Sequence, residues 1–200
     1  MIIVFARAPV PGQAKTRLAP RLGELGAVRL HARLTLHALR IACAADRVVE
    51  VHGTRRHSFF RTLGVPFRLQ RGRDLGERMR RALETALRRH PFAILIGSDC
   101  PMLAPADLRR AARWLRGGHD VVLAPAEDGG YALIGLRRPR GELFEDIAWG
   151  SRQVYAHTVK RLGGRRWRAL RTVWDVDRAE DLERIRWLRL PSASARGARR

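Results

Sequence analysis

Four short stretches of the sequence gather residue types that can do chemistry. The first is Arg7 to Leu18, RAPVPGQAKTRL. Two prolines stiffen it, and Gly12 permits a turn that a side chain would block. Arg7, Lys15 and Arg17 bring three cations to one loop, and cations with free backbone amides suit a di- or triphosphate. It is not a Walker loop, because the Gly-Lys-Ser/Thr ending is missing. The only lysines of the chain are Lys15 and Lys160. Among so many arginines, Lys15 marks a place that wants a compact point charge; the alternative is a solvated basic loop.

The second stretch is Gly97-Ser98-Asp99-Cys100-Pro101. An aspartate at the end of an apolar strand can hold Mg²⁺ or Mn²⁺ while phosphate oxygens fill other positions; the alternative is a helix N-cap. Cys100 reads as a small buried neighbour with no histidine to activate it. The third is Glu127-Asp128-Gly129-Gly130-Tyr131, locally a turn. Asp128 there could be a second metal ligand or a catalytic base, and Tyr131 could stack on a ring or donate a hydrogen bond. The fourth is Trp174-Asp175-Val176-Asp177. Extended backbone would put both carboxylates on one side. Asp177 reads as an N-cap with Glu180 completing a capping box, and Asp175 stays open as a catalytic carboxylate. Two further stretches are weaker. Gln70 to Arg78, with Gly76, could wall a base or ribose. Trp149-Gly150-Ser151 could touch an acceptor or cap a helix. The seven histidines show no metal-ligand spacing, and His31 and His37 read as helix-surface residues.

These stretches need a frame that brings them together. Short apolar runs alternate with helical patterns. Strands are expected at Ile2–Ala6, Arg47–His52, Pro66–Leu69, Phe92–Gly97, Val121–Ala124 and Tyr131–Leu136, with a last one near Val173. Helices are expected at Gly23–Ala45, Leu75–Arg89, Pro105–Arg116, Ser151–Leu162 and Arg178–Leu190. Such alternation predicts an α/β chain with a mostly parallel sheet covered on both faces. The pair flanking Gly129-Gly130 is either a hairpin or two strands placed apart in a mixed sheet. Ligands of such sheets collect beyond the carboxyl ends of the strands, where the four stretches fall. One domain is expected over residues 1–190, with a disordered basic tail over 191–200.

Composition narrows the function classes. The 200 residues carry 40 Lys+Arg against 19 Asp+Glu, a formal net charge of +21. Arginine is spread over every expected helix, with no zinc-finger spacing and no aromatic-interleaved basic motif. A specific nucleic-acid partner is therefore not expected, although anionic substrates should be attracted. Two cysteines build neither a disulfide framework nor a zinc site. No run approaches the ~20 apolar residues of a membrane span. A cytoplasmic protein is expected, and the oligomeric state is not legible.

Taken together, FARAPVPGQAKTRL (residues 5–18), LGERM (75–79), GSDCP (97–101), DGGY (128–131) and DVD (175–177) occur in the order of a known family. The chain resembles a bacterial family of small GT-A-like proteins labelled glycosyltransferases, some linked to arsenosugar biosynthesis. The resemblance runs from Met1 to about Leu188. It implies a three-layer α/β/α, Rossmann-like mixed sheet of the nucleotide-diphospho-sugar transferase type. More distantly, the first loop, Asp99 and Gly150-Ser151 are similar to 2-phospholactate guanylyltransferases. That likeness implies phosphates on Lys15 and Arg17 and magnesium on Asp99. The sequence departs from those enzymes at Asp128-Gly-Gly-Tyr131, and it has one acid at Asp99 rather than Asp-x-Asp. The leading expectation is a metal-dependent glycosyltransferase with a nucleotide-sugar donor and a small-molecule acceptor. The alternatives are a nucleotidyltransferase acting on a phosphorylated acceptor and a non-catalytic nucleotide- or nucleic-acid-binding protein.

Overall fold

Side chains alternate across each strand, so a strand buried on both faces must be apolar throughout. The first strand, β1 (Ile2–Ala6), shows this directly: all five residues are buried. Ile2, Val4 and Ala6 enter one hydrophobic core, and Ile3 and Phe5 enter the other. The computed structural model describes residues 1–185. Within them lie β2 (Val49–Gly53), β3 (Phe67–Leu69), β4 (Ala93–Gly97), β5 (Val121–Pro125), β6 (Tyr131–Leu136) and β7 (Trp167–Ala169). They form one seven-stranded sheet in the order β3-β2-β1-β4-β6-β5-β7. β6 alone runs antiparallel, to both β4 and β5; β1 pairs in parallel with β2 and β4, β2 with β3, and β5 with β7. The α/β/α mixed, mostly parallel sheet expected from the sequence is the observed fold.

Helices cover both faces. α1 (Ala19–Ala45), α2 (Ser58–Arg61) and α4 (Pro105–Arg116) contribute Ala38, Leu39, Phe60, Leu108 and Leu115 to the first core. α3 (Leu75–Leu87) and α5 (Val154–Leu162) contribute Met79, Leu83 and Leu162 to the second. Local chemistry fixes two helix starts that bear on the site. Asp74 caps α3 by accepting from the Glu77 amide at 2.8 Å. Pro105 opens α4, and the Asp107 carboxylate turns back to accept from the Ala104 amide at 3.0 Å.

Several expectations change in detail. Helix α1 begins at Ala19 rather than Gly23; Gly23, at φ 69°, interrupts it instead of starting it. The β5–β6 pair is a hairpin, with β6 inserted between β4 and β5. The last strand is β7, while Val173 makes only an isolated parallel bridge to Ala126. Of the helix expected over Arg178–Leu190, α6 (Asp181–Arg184) lies within the described residues. The tail expected at 191–200 lies outside them. Asp177 does not cap α6. Its carboxylate is taken by Arg17, and the Asp181 carboxylate accepts from the amides of Asp177 and Arg178 instead.

Candidate active site

Three loops and one returning segment meet over the carboxyl ends of β1, β4 and β5, the side of a parallel sheet where ligands bind. The β4 strand ends at Gly97, and pairing continues one residue further through the Ser98 amide to Phe5 O at 3.0 Å. Asp99 therefore leaves the sheet at a fixed height beside the first loop.

Lys15 meets it there. Its ammonium lies 3.0 Å from Asp99 Oδ2 and donates to Val176 O at 2.5 Å. The lysine side chain is 5% exposed and the aspartate 42%, so the open face of the pair is the carboxylate. Lys15 adopts φ 53°, ψ 43°, the left-handed region that costs a non-glycine residue about 1–2 kcal/mol. That turn folds the side chain back over Asp99 instead of out to solvent. On the other side His31, 1% exposed, places Nδ1 3.6 Å from Asp99 Oδ1 and Nε2 2.9 Å from Arg7 O. Burial opposes ionisation of Asp99, but Lys15 and His31 outweigh it and hold its carboxyl well below the usual carboxylate range. His31 is thus not a helix-surface residue. It lies on the stripe of α1 that buries Ala27, Leu30 and Leu34, a placement the three- and four-residue spacing of those apolar positions would have revealed. His37 is half-buried, against Pro101 O at 3.2 Å.

The β5–β6 turn carries Asp128. Its Oδ1 accepts from the Gly130 amide at 2.8 Å, a local turn that orients the carboxylate. Gly129 has φ 90°, and a Cβ there would sit 2.0 Å from the Arg152 carbonyl oxygen. Only glycine lets this turn dock on the approach to α5, where Gly129 O also accepts from the Tyr155 amide.

Asp175 arrives from the far end of the chain. After β7 the backbone crosses the strand ends, paired to Pro125 O through the Val173 amide at 2.9 Å and to Asp99 O through the Val176 amide at 3.0 Å. Burial pushes the Asp175 carboxyl up to about 6, with the neighbouring Asp128 and Asp99 adding to it and Lys15 opposing. Its environment is the opposite of that of Asp99, although both border one cleft. Cys100, beside them, has its thiol pushed up to about 11 by burial, which leaves it unreactive.

Two clefts join at this point. One, of about 520 Å³, is lined by Arg7, Gln13, Thr54, Gln70 and Arg78 and reaches Asp99. The other, of about 260 Å³, runs from Asp99 past Asp128 and Asp175 to Tyr131, Trp149 and Ser151. Gly97, Asp99 and Leu75 border both.

Of the residues singled out from sequence, Arg7, Gln70, Asp99, Asp128, Tyr131, Ser151 and Asp175 border these clefts. Gln70 spends its amide NH₂ on the carbonyls of His52 and Ala6. Gly12 is exposed on the outer part of its loop, Arg17 is paired with Asp177, and Lys15 is turned onto Asp99. None of these three lines either cleft. Gly76 is buried on α3, where a Cβ would stand 2.4 Å from the Trp149 indole nitrogen. Its role is to admit Trp149, whose ring also stacks on Phe144 and meets Tyr131 edge-on. His31, Arg78 and Trp149 complete the site.

The carboxylate set is of the hard-oxygen kind that suits Mg²⁺ or Mn²⁺. Among the described residues no three His, Cys, Asp or Glu side chains stand close enough to enclose an ion. A site of this form fits an ion held by one or two carboxylates, with water and ligand phosphates completing its shell, the usual habit of magnesium.

The model of a bacterial family described as "Uncharacterized protein conserved in bacteria (DUF2064)" matches residues 34–151, more than half of the chain. The chain belongs to this family. The matched span of the DUF2064 family holds Asp99 and Asp128; Lys15 and Asp175 flank it. No curated protein matches the sequence. Among solved structures, a protein of Desulfovibrio desulfuricans G20, provisionally described as a nucleotide-diphospho-sugar transferase, is similar at 29% identity and a TM-score of 0.85. The match covers 96% of this chain and 88% of that one. A CMP:2-keto-3-deoxy-manno-octonic acid synthetase complexed with CTP is similar at 15% identity and a TM-score of 0.61, over 94% and 97% of the two chains. The manganese complex of Rv0371C from Mycobacterium tuberculosis H37Rv is similar at 16% identity and a TM-score of 0.55, over 92% and 96%. The last two likenesses establish the shared fold. Among the described residues no helix is long and apolar enough to cross a membrane.

Proposed function

We propose that the protein is a divalent-metal-dependent, nucleotide-binding transferase that moves a glycosyl group from a nucleotide-sugar to a small acceptor. The observation that carries this reading is the junction of two unlike clefts at Asp99. The arginine-lined cleft suits the nucleoside diphosphate of a donor, with Arg7 and Arg78 facing its charge. The carboxylate-lined cleft suits the acceptor, with the group transferred at the junction between the two. A bound divalent ion would supply charge neutralisation for the departing diphosphate. Asp99, held ionised by Lys15 and His31, is the residue placed to anchor that ion, with Asp128 as its second carboxylate. Asp175 is the better candidate for taking the acceptor's proton. With its carboxyl near 6 it is mostly ionised at neutral pH yet basic enough to accept a proton in the transition state. Lys15 serves through Asp99, and a phosphate would reach its ammonium only if that pair opened. The likeness to the described sugar-nucleotide transferase, over nearly all of both chains, supports the reading.

The nucleotidyl alternative is favoured by one observation, the larger volume of the basic cleft, which leaves room for a triphosphate. A thermal-shift panel of nucleoside triphosphates and nucleotide-sugars, with and without Mg²⁺, separates the two. A ligand at 100 times its dissociation constant stabilises by about 2.7 kcal/mol. Mg²⁺-dependent stabilisation by a nucleotide-sugar is the expected result. Stabilisation by triphosphates alone would select nucleotidyl transfer, and no response to any nucleotide would overturn both readings.

A further inference from the structure

One residue in five of this chain is basic, 40 of 200, and the larger cleft carries its share in Arg7 and Arg78. The smaller cleft carries neither a lysine nor an arginine on its wall among the described residues. Its charges are three carboxylates, Asp99, Asp128 and Asp175. Only Asp99 has a cationic partner; no ion pair is found for Asp128 or Asp175 among the described residues, although arginines crowd the rest of the surface. The remaining wall is apolar or hydroxylic: Met79, Ala132, Trp149, Val154 and Ser151. Trp149 is fixed in place by Gly76 beneath it and by Phe144 and Tyr131 beside it.

We propose that this smaller cleft admits only a non-anionic, hydroxyl-bearing acceptor of about monosaccharide size, and excludes phosphorylated and carboxylated molecules. The proposal rests on the transferase reading and names the acceptor class of that site. A phosphate placed here would face two unpartnered carboxylates, and the nearby cation, the buried Lys15 ammonium, is already taken by Asp99 and Val176 O. A divalent ion at Asp99 and Asp128, together with Lys15, would only balance the three carboxylates and leave no net positive charge to hold a phosphate. An apolar sugar face can instead lie on the Trp149 ring, with its hydroxyls toward the carboxylates. The volume of about 260 Å³ lies just below the ~300–1,000 Å³ usual for ligand pockets, which argues against an oligomer. In the transfer itself the acceptor oxygen forms a bond to the anomeric carbon of the donor. The bond from that carbon to the diphosphate oxygen breaks, and its electron pair leaves with the nucleoside diphosphate. The hydroxyl proton passes to the ionised Asp175 carboxylate and from there to solvent.

The test uses four monosaccharide probes of different charge: methyl glucoside, glucosamine, glucose 6-phosphate and glucuronate, the last an anion no bulkier than methyl glucoside. Saturation-transfer NMR reads their contact with the full-length protein, with Trp149→Ala and with Asp128→Lys. In the wild type the neutral and cationic probes are expected to give a signal that falls at least about threefold in Trp149→Ala, as for loss of one aromatic contact. The two anionic probes are expected to give no Trp149-dependent signal. Asp128 is on an exposed turn, so Asp128→Lys keeps the fold even if Trp149→Ala does not, and it is expected to admit glucose 6-phosphate. A Trp149-dependent glucose 6-phosphate signal equal to that of methyl glucoside in the wild type overturns the proposal. So does the absence of any signal, at the solubility limit, from the neutral and cationic probes. Thermal shift with UDP and GDP on the same preparations reads the donor site separately. If it fails while the methyl glucoside signal stands, the nucleotide reading falls and the charge selectivity of the cleft survives.

Discussion

Replacing Asp175 with asparagine removes a carboxylate that the folded protein holds at a cost. Its pKa rises from the ordinary 3.8 to about 6, chiefly through burial and then through Asp128. At 1.36 kcal/mol per pKa unit the gap corresponds to about 3 kcal/mol. Solvent at the open side of the cleft reduces this to ~1–2 kcal/mol. The sign follows from proton binding. Between about pH 4 and pH 6 the folded state keeps a proton on Asp175 that the unfolded chain has lost, so this group makes stability fall as pH rises through that window. Asparagine has no such slope. The variant should match the wild type near pH 4 and exceed it by ~1–2 kcal/mol at pH 7.5, a gain of several degrees in Tm for a chain of this size. Urea denaturation of both proteins from pH 4 to pH 8 reads the difference directly. It should narrow when Mg²⁺ and a nucleotide are present, because a cation offsets the repulsion. A pH-independent difference, or an asparagine variant that is less stable at pH 7.5, would refute the electrostatic account of the site. Turnover, by contrast, should fall by orders of magnitude if Asp175 is the base.

Asp99→Asn leaves Lys15 without its carboxylate and should cost ~1–3 kcal/mol in chemical denaturation; it should also abolish Mg²⁺-dependent nucleotide stabilisation, and unchanged dependence would remove Asp99 from the ion's site. Lys15→Met takes away the ammonium that competes for Asp99, so calorimetric titration should find tighter Mg²⁺ binding by the ligand-free protein; weaker binding would show that Lys15 positions Asp99 for the ion rather than competing with it. Gly129→Ala meets the Arg152 carbonyl at a positive φ and should destabilise by more than ~2 kcal/mol, which a thermal melt would detect. Gly76→Ala should expel the Trp149 indole; a tryptophan emission spectrum unchanged from wild type would contradict that packing.

Much of this arrangement is readable in advance, because strand ends in an apolar α/β sequence announce where loops converge. Asp99, Asp128 and Asp175 each follow an apolar or strand-like run, and they do meet. The pairing of Lys15 with Asp99 was not readable. It depends on a left-handed backbone at Lys15 and on Val176 O, 161 residues away, and no local pattern encodes either. The polarity of His31 points to solvent, whereas its position on the helix face puts it in the core. The place of β6 was equally hidden. A short Gly-Gly turn fits both a simple hairpin and strands placed apart, and only packing against β4 decides. Gly76 reads as permission for close approach, but sequence does not say that the approaching group is Trp149.

The segment from Val173 to Val176 is fastened over the strand ends by backbone contacts to Pro125, Glu127 and Asp99. It carries Asp175, and it supplies the carbonyl that receives the Lys15 ammonium. During synthesis at about 5–20 residues per second, strands β1 to β6 leave the ribosome well before this piece does. Asp99 and Lys15 are therefore made before the segment that carries Asp175 and the carbonyl onto which the Lys15 ammonium closes. That segment is a clasp that also completes the cores, with Val173 entering the first and Trp174 and Val176 packing on Leu18, Leu30 and Leu34, so the cleft and its support are closed by the same late piece of chain.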